Sequence, residues 1–156
     1  MRTQLYSLLT LTLSLCPALT GCGGHDCTEI YAPDQLVITF SPALRTAGAW
    51  EISVGGDETV ACSVELPVAD PSNVDEETCA AVDPVVADLN FSDDGTQILG
   101  LTVWESAPAD VSVYIEHAGQ EVTLVYLSPS YEKREPNGNG CGEQRFGEAE
   151  VTITQP

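Results

Sequence analysis

From residue 35 onward, apolar and polar side chains alternate in short runs separated by glycine, proline, aspartate and asparagine. Leu36, Ile38 and Phe40 alternate with Gln35, Val37 and Thr39, and Trp50, Ile52 and Val54 alternate with Glu51 and Ser53. A period of two places each apolar set on one sheet face, so these runs predict strands with one buried side and Trp50 in the core. Gly55-Gly56-Asp57 predicts a hairpin turn into a strand over 59–66, with Val60, Cys62, Val64 and Leu66 sharing a face. Ala87, Leu89 and Phe91 lead to a second turn at Asp94-Gly95, and Leu99, Leu101 and Val103 are expected to return along the same face. Val111, Val113 and Ile115 read as inward, Ala118-Gly119-Gln120 as a turn, and Val122, Leu124 and Tyr126 as the returning set. Ala149, Val151 and Ile153 form the last run. Residues 67–84 predict a long loop with one helical turn from Val74 to Val82, begun at the turn Pro71-Ser72-Asn73, and residues 128–148 predict a turn-rich loop. The sum is an all-β domain of about eight strands with no long helix and no repeat. An immunoglobulin-like antiparallel β-sandwich is the expected fold, with a small β-barrel as the alternative.

The first residues follow different rules. Arg2 precedes an apolar run from Leu5 to Leu15 that Pro17 breaks. That run has the length of a secretory signal core and falls short of the ~20 residues of a membrane-spanning helix. Leu19-Thr20-Gly21-Cys22 then resembles the lipobox of bacterial lipoproteins: a branched apolar residue, a small one, Gly or Ala, and an obligatory Cys. The resemblance implies that the Cys22 thiol is acylated, that the signal is cut between Gly21 and Cys22, and that the new amino group is acylated in turn. Two or three chains make such an anchor effectively permanent, because each buried methylene contributes ~0.8 kcal/mol. The implied organisation is a signal over 1–21, a lipidated tether over 22–34 and a β-sandwich over 35–156. The membrane is then the first expected partner, and Gly23 after the anchor favours the outer membrane over the inner.

Charge and cysteine usage narrow the picture further. All 24 acidic residues follow residue 21 and only Arg2 of the five basic ones precedes it, so the expected mature chain carries a net charge of −20. No basic patch exists for phosphate contacts, and nucleic acid is not an expected partner. Cys16 leaves with the signal and Cys22 carries lipid, which leaves Cys27, Cys62, Cys79 and Cys141. An even set in an exported chain reads as a disulfide framework. Of three possible pairings, Cys62–Cys79 with Cys27–Cys141 is favoured, the first closing a short acidic loop and the second tying the tether to the C-terminal loop. Zinc is the rival reading, but no C-x2-C spacing occurs. With Cys27 bridged, the free tether is Gly23 to Asp26 and spans roughly 14 Å at most.

Most of the mature chain loosely resembles small lipoproteins of Gram-negative soil bacteria, notably myxobacteria. The resemblance rests on "FSDDGTQILGLTVWESAPADVSVYI" and on Tyr131, Pro136, Asn137, Gly138, Cys141 and Gly142. In that pattern a second Cys follows before the final strand, whereas Arg145 or its neighbours stand there in this chain. The resemblance implies no activity.

Candidate chemistry is sparse. His25 falls in the tether and His117 at a strand end before a turn, and no G-x-S-x-G motif accompanies them, so a metal-assisted hydrolase is the weakest reading. Asp88, Asn90, Ser92, Asp93 and Asp94 place hard oxygen donors close together, as calcium prefers. The segment is not an EF-hand loop, since its glycine is eighth and its twelfth residue is Leu99. A hairpin would also turn Asp88 and Asn90 outward as solvated residues. Trp104, Tyr114, Tyr126 and Tyr131 are the candidate exposed aromatics, and Trp104 with Tyr114 on neighbouring strands would form a stacking platform. The expected function is a non-enzymatic envelope module that binds a protein or a glycan or serves structurally, with calcium-dependent adhesion as the alternative.

Overall fold

The computed structural model describes residues 31–73, 78–81, 84–138 and 141–154. The signal, the lipobox with Gly21 and Cys22, Cys27, and residues 74–77 and 82 of the expected helical turn lie outside the described residues. Ten strands occur among those described: β1 (Gln35–Leu44), β2 (Gly48–Gly55), β3 (Thr59–Leu66), β4 (Cys79–Ala80), β5 (Val86–Phe91), β6 (Ile98–Trp104), β7 (Val111–His117), β8 (Gln120–Leu127), β9 (Ser130–Arg134) and β10 (Gln144–Thr152). They form two five-stranded sheets, β5-β6-β1-β10-β9 and β4-β3-β2-β7-β8, packed as a sandwich and not closed into a barrel. All pairings are antiparallel except β1 with β10, which run parallel from Gln35↔Phe146 to Ser41↔Thr152.

One apolar core fills the space between the sheets. The first sheet contributes Leu36, Ile38, Phe40, Leu44, Ile98, Leu101, Val103 and Val151, and the second contributes Trp50, Ile52, Val54, Val60, Val111, Val113 and Ile115. Trp50 is 2% exposed and donates its indole N–H to the Thr46 carbonyl at 2.9 Å, so its polar atom is satisfied where it is buried. Cys62 and Cys79 are bonded as expected, facing one another across β3 and β4. Cys141 is disulfide-bonded as well, and its expected pairing with Cys27 lies outside the described residues.

Four expectations need correction. The acidic loop after β3 holds a short 3-10 turn at Pro71–Asn73, where Asp70 accepts from the Ser72 amide and hydroxyl, and Cys79–Ala80 is extended instead of helical. The turn-rich segment 128–148 contains β9 and the first half of β10, a hairpin whose polar alternation the apolar pattern does not reveal. Leu99 is 40% exposed, with Ile98 buried in its stead. Asn90 pairs with Gly100 and Phe91 with Ile98, so Leu99 is an extra residue that bulges outward. The same device acts in β8: Ile115 pairs with Thr123 but Glu116 with Glu121, so the strand changes phase at Val122. Val125 and Leu127 pack on the core, while Leu124 and Tyr126 are turned to solvent at 46% and 76% exposure.

Candidate functional site

The proposed aromatic platform does not form. Trp104 ends β6 in one sheet and Tyr114 lies in β7 of the other, because the connection over 105–110 carries the chain across the sandwich. Each side chain is instead held by a neighbouring carboxylate. The Trp104 indole donates to Asp88 Oδ2 at 2.7 Å, and the Tyr114 hydroxyl donates to Glu116 Oε2 at 2.8 Å. Tyr131 is likewise engaged. Its ring packs over Gly147 and its hydroxyl donates to the Pro108 carbonyl at 2.9 Å, pinning β9 to the connection between the sheets. Burial pushes the Tyr131 hydroxyl above its ordinary value.

Asp88, Asn90, Ser92 and Asp94, four of the oxygen donors proposed for calcium, take part in local structure. Asp88 holds Trp104, and Asn90 donates its amide to the Thr102 hydroxyl at 3.0 Å on the outer face of the first sheet. Asp94 Oδ1 accepts from the Ser92 hydroxyl, the Thr96 amide and the Thr96 hydroxyl at 2.7, 3.1 and 2.7 Å. These donors, led by the two hydroxyls, pull the Asp94 carboxyl down to about 2 and lock the turn that Gly95 completes at a φ of 67°. Asp93 is exposed beside it. Among the described residues no three His, Cys, Asp or Glu side chains are grouped to hold a metal ion.

Because the folded Asp94 carboxyl titrates below its ordinary 3.8, the turn's contribution is present above that value and is lost as pH falls through about 2. Asp94→Ala is therefore expected to lower stability by a constant amount above pH ~4, with the gap to wild type closing near pH ~2. Urea unfolding of both proteins across that range measures it.

His117 is less exposed than a turn histidine is expected to be. Its ring stacks on Trp50 with centroids 4.4 Å apart, and Nε2 lies 3.1 Å from the Ala47 carbonyl. This is a packing role, and among the described residues no nucleophile stands in hydrogen-bond reach of it.

At the other end of the chain, Asp34 is gripped by Arg145. The Arg145 amide donates to Oδ1 at 2.7 Å, and Nε and Nη2 donate to Oδ2 at 2.9 and 2.6 Å. Partial burial pushes the Asp34 carboxyl up, but the Arg145 hydrogen bonds and charge outweigh it and leave it below its ordinary value. Gln144 adds a bond to the Pro33 carbonyl at 2.7 Å. The segment that leads in from the expected tether is thus tied to the start of β10.

The outer face of the second sheet exposes both apolar and acidic side chains. Three rows cross it. Ser53, Tyr114 and Leu124 face one another in the first; Gly55, Ser112 and Tyr126 in the second; Glu51, Glu116 and Glu121 in the third. Tyr126 lines an open cleft of about 440 Å³ together with Gly55, Gly56, Val111, Ser112, Leu127, Asp110 and Ser128. The Ser128 hydroxyl donates to Asp110 at 2.6 Å. The Tyr114 hydroxyl titrates above its ordinary value, first through its bond to Glu116 and also through the charges of Glu116, Glu121 and Glu51. The sequence pattern missed this face because it assigned Leu124 and Tyr126 inward. Of this face, Tyr114 and Tyr126 are among the expected exposed aromatics. Compared with family models, curated proteins and solved structures, the chain matches none.

Proposed function

We propose that the chain is a lipid-anchored lipoprotein of a bacterial envelope, on the outer membrane, whose sandwich serves as a non-enzymatic binding module. The anchor reading rests on Leu19-Thr20-Gly21-Cys22 following the apolar run. The binding reading rests on one structural observation: an outer sheet face that leaves Leu124 and Tyr126 exposed, with Tyr126 lining an open cleft. Exposed apolar surface rimmed by polar groups suits a protein or glycan partner better than a small enclosed substrate. The Asp34–Arg145 grip supports the same reading, because a domain held firmly at the base of a short tether presents its faces in a fixed posture.

Expression in a Gram-negative host followed by detergent phase partition tests the anchor. The wild-type protein is expected in the detergent phase, with a mass that corresponds to a chain beginning at an acylated Cys22. Cys22→Ser is expected to move the protein to the aqueous phase. An unmodified chain beginning at Met1 would overturn the proposal.

A further inference from the structure

A sandwich has four sheet edges, here β5, β9, β4 and β8. An uncovered edge strand is a template for pairing, and folds blunt it with brevity, lysine, proline or a covering element. Three of these edges are blunted. β4 has two residues and packs beside β5, so the two shield one another. β9 has five residues and carries Lys133 and Arg134. β8 is different. Its eight residues, QEVTLVYL, contain no lysine, arginine or proline, and none is fully buried. Its bulge sits next to the hairpin turn, so Thr123 to Leu127 pair with β7 in unbroken register. Among the described residues no strand pairs with its outer side, where every second residue points its N–H and C=O away from β7.

The charge pattern says what belongs there. The strands of the second sheet carry Glu51, Glu65, Glu116 and Glu121 but no lysine or arginine. Lys133, Arg134 and Arg145 lie on β9 and β10 of the other sheet and pair with Glu143, Glu132 and Asp34. Glu51, Glu116 and Glu121 stand directly opposite one another across β2, β7 and β8. Like charges in such a row destabilise the sheet. The next position in the row lies on whatever strand pairs with β8, and a cation there converts repulsion into attraction. A second copy is disfavoured, since it would bring another net charge of −19 and no cation to that position from its own β8.

We propose that the β8 edge accepts an extended cationic segment of a partner protein as an added strand, with lysine or arginine opposite Glu121 on the outer face and apolar side chains continuing the inner face of Val125 and Leu127. Main-chain bonds to the free edge would supply affinity, and the glutamate row and the Leu124–Tyr126 surface would supply selectivity. The inference deepens the binding-module reading above, rests on it, and is independent of the lipid anchor.

The test uses the full chain in mild detergent and fluorescent peptides that match β8 in length. Each peptide alternates valine with lysine, glutamate or serine. The lysine peptide is expected to bind, to weaken as salt is raised, and to protect the amides of Thr123 to Leu127 from exchange. The glutamate peptide is expected not to bind. Glu121→Gln should weaken binding by about tenfold, and so should a lysine peptide with alternate backbone nitrogens methylated. Glu51→Gln, two strands further from the partner, should weaken it less. A melting curve for each variant separates lost binding from lost fold. Several results would overturn the proposal: no peptide binds; the methylated peptide binds as well as the parent; Glu121→Gln changes nothing; or sedimentation shows a dimer with its β8 amides already protected. None of these bears on detergent partition, so the anchor and the edge fail separately.

Discussion

Trp50→Ala is expected to remove about 3–5 kcal/mol of stability, a third or more of what a domain of this size usually has. The side chain lies in the central part of the second sheet, with Ile52 and Val54 along its own strand and Val64 and His117 opposite it in register. Three losses combine. The buried indole leaves a large void that the two sheets cannot close without sliding. The Thr46 carbonyl loses its donor at 2.9 Å. The His117 ring loses the surface it stacks on at 4.4 Å. Trp50→Phe keeps most of the volume and the stacking but not the hydrogen bond, so it should recover the larger part of the deficit. Denaturant unfolding followed by far-ultraviolet circular dichroism measures both variants, since each of them removes the buried tryptophan that a fluorescence signal would follow.

Opening the Cys62–Cys79 bond comes next in size. The bond spans a sequence separation of 17, and a loop of that length constrains the unfolded chain by about 3 kcal/mol. Replacing both cysteines with alanine should lower the melting temperature by about 10 °C. The double replacement is preferred to a single one because a lone thiol would invite exchange with the disulfide of Cys141. The effect should also be local. β4 pairs with β3 only through Ala61↔Ala80 and Cys62↔Cys79, so amide exchange around 79–81 should quicken well before that of β2 or β7. A fall in midpoint with uniform exchange across the sheet would show that the bond supports the whole sandwich and not its edge.

How the chain displays its fold in sequence depends on whether a strand keeps its phase. β2, β3 and the first half of β1, up to the register shift after Thr39, do, and Leu36, Ile38, Trp50, Ile52, Val60 and Cys62 could be assigned inward from alternation alone. The Asp94-Gly95 turn was legible because few residues tolerate the backbone it needs, with Gly95 at a φ of 67°, whereas Gly55 and Gly56 stand where a side chain would crowd Ser112 and Pro108. Alternation fails at Leu99 and Val122, where one extra residue inverts the assignments on one side of it. A bulge is chosen by the partner strand, and the partner is not adjacent information in the sequence. β9 escaped notice because SYEKR is polar on both faces, being an edge, with only Tyr131 committed to the interior side. The candidate face suffered most. Trp104 and Tyr114 lie ten residues apart, but the chain changes sheets between them, whereas Glu51 and Glu121 are seventy apart and share a row. Cys62–Cys79 was legible because a short loop between two cysteines leaves few alternatives, and the expected Cys27 bond and Cys22 anchor lie outside the described residues.

The parallel pairing of β1 with β10 bears on how the domain carries load. Both strands run in the same direction, so the leading end of β1 and the trailing end of β10 point out of opposite ends of the sandwich. Tension applied between those ends drags the two strands past each other lengthwise. Their hydrogen bonds then resist together in shear, where an antiparallel terminal hairpin would peel open one bond at a time. A body fastened at one end and tugged at the other is, in this arrangement, gripped along its strongest seam.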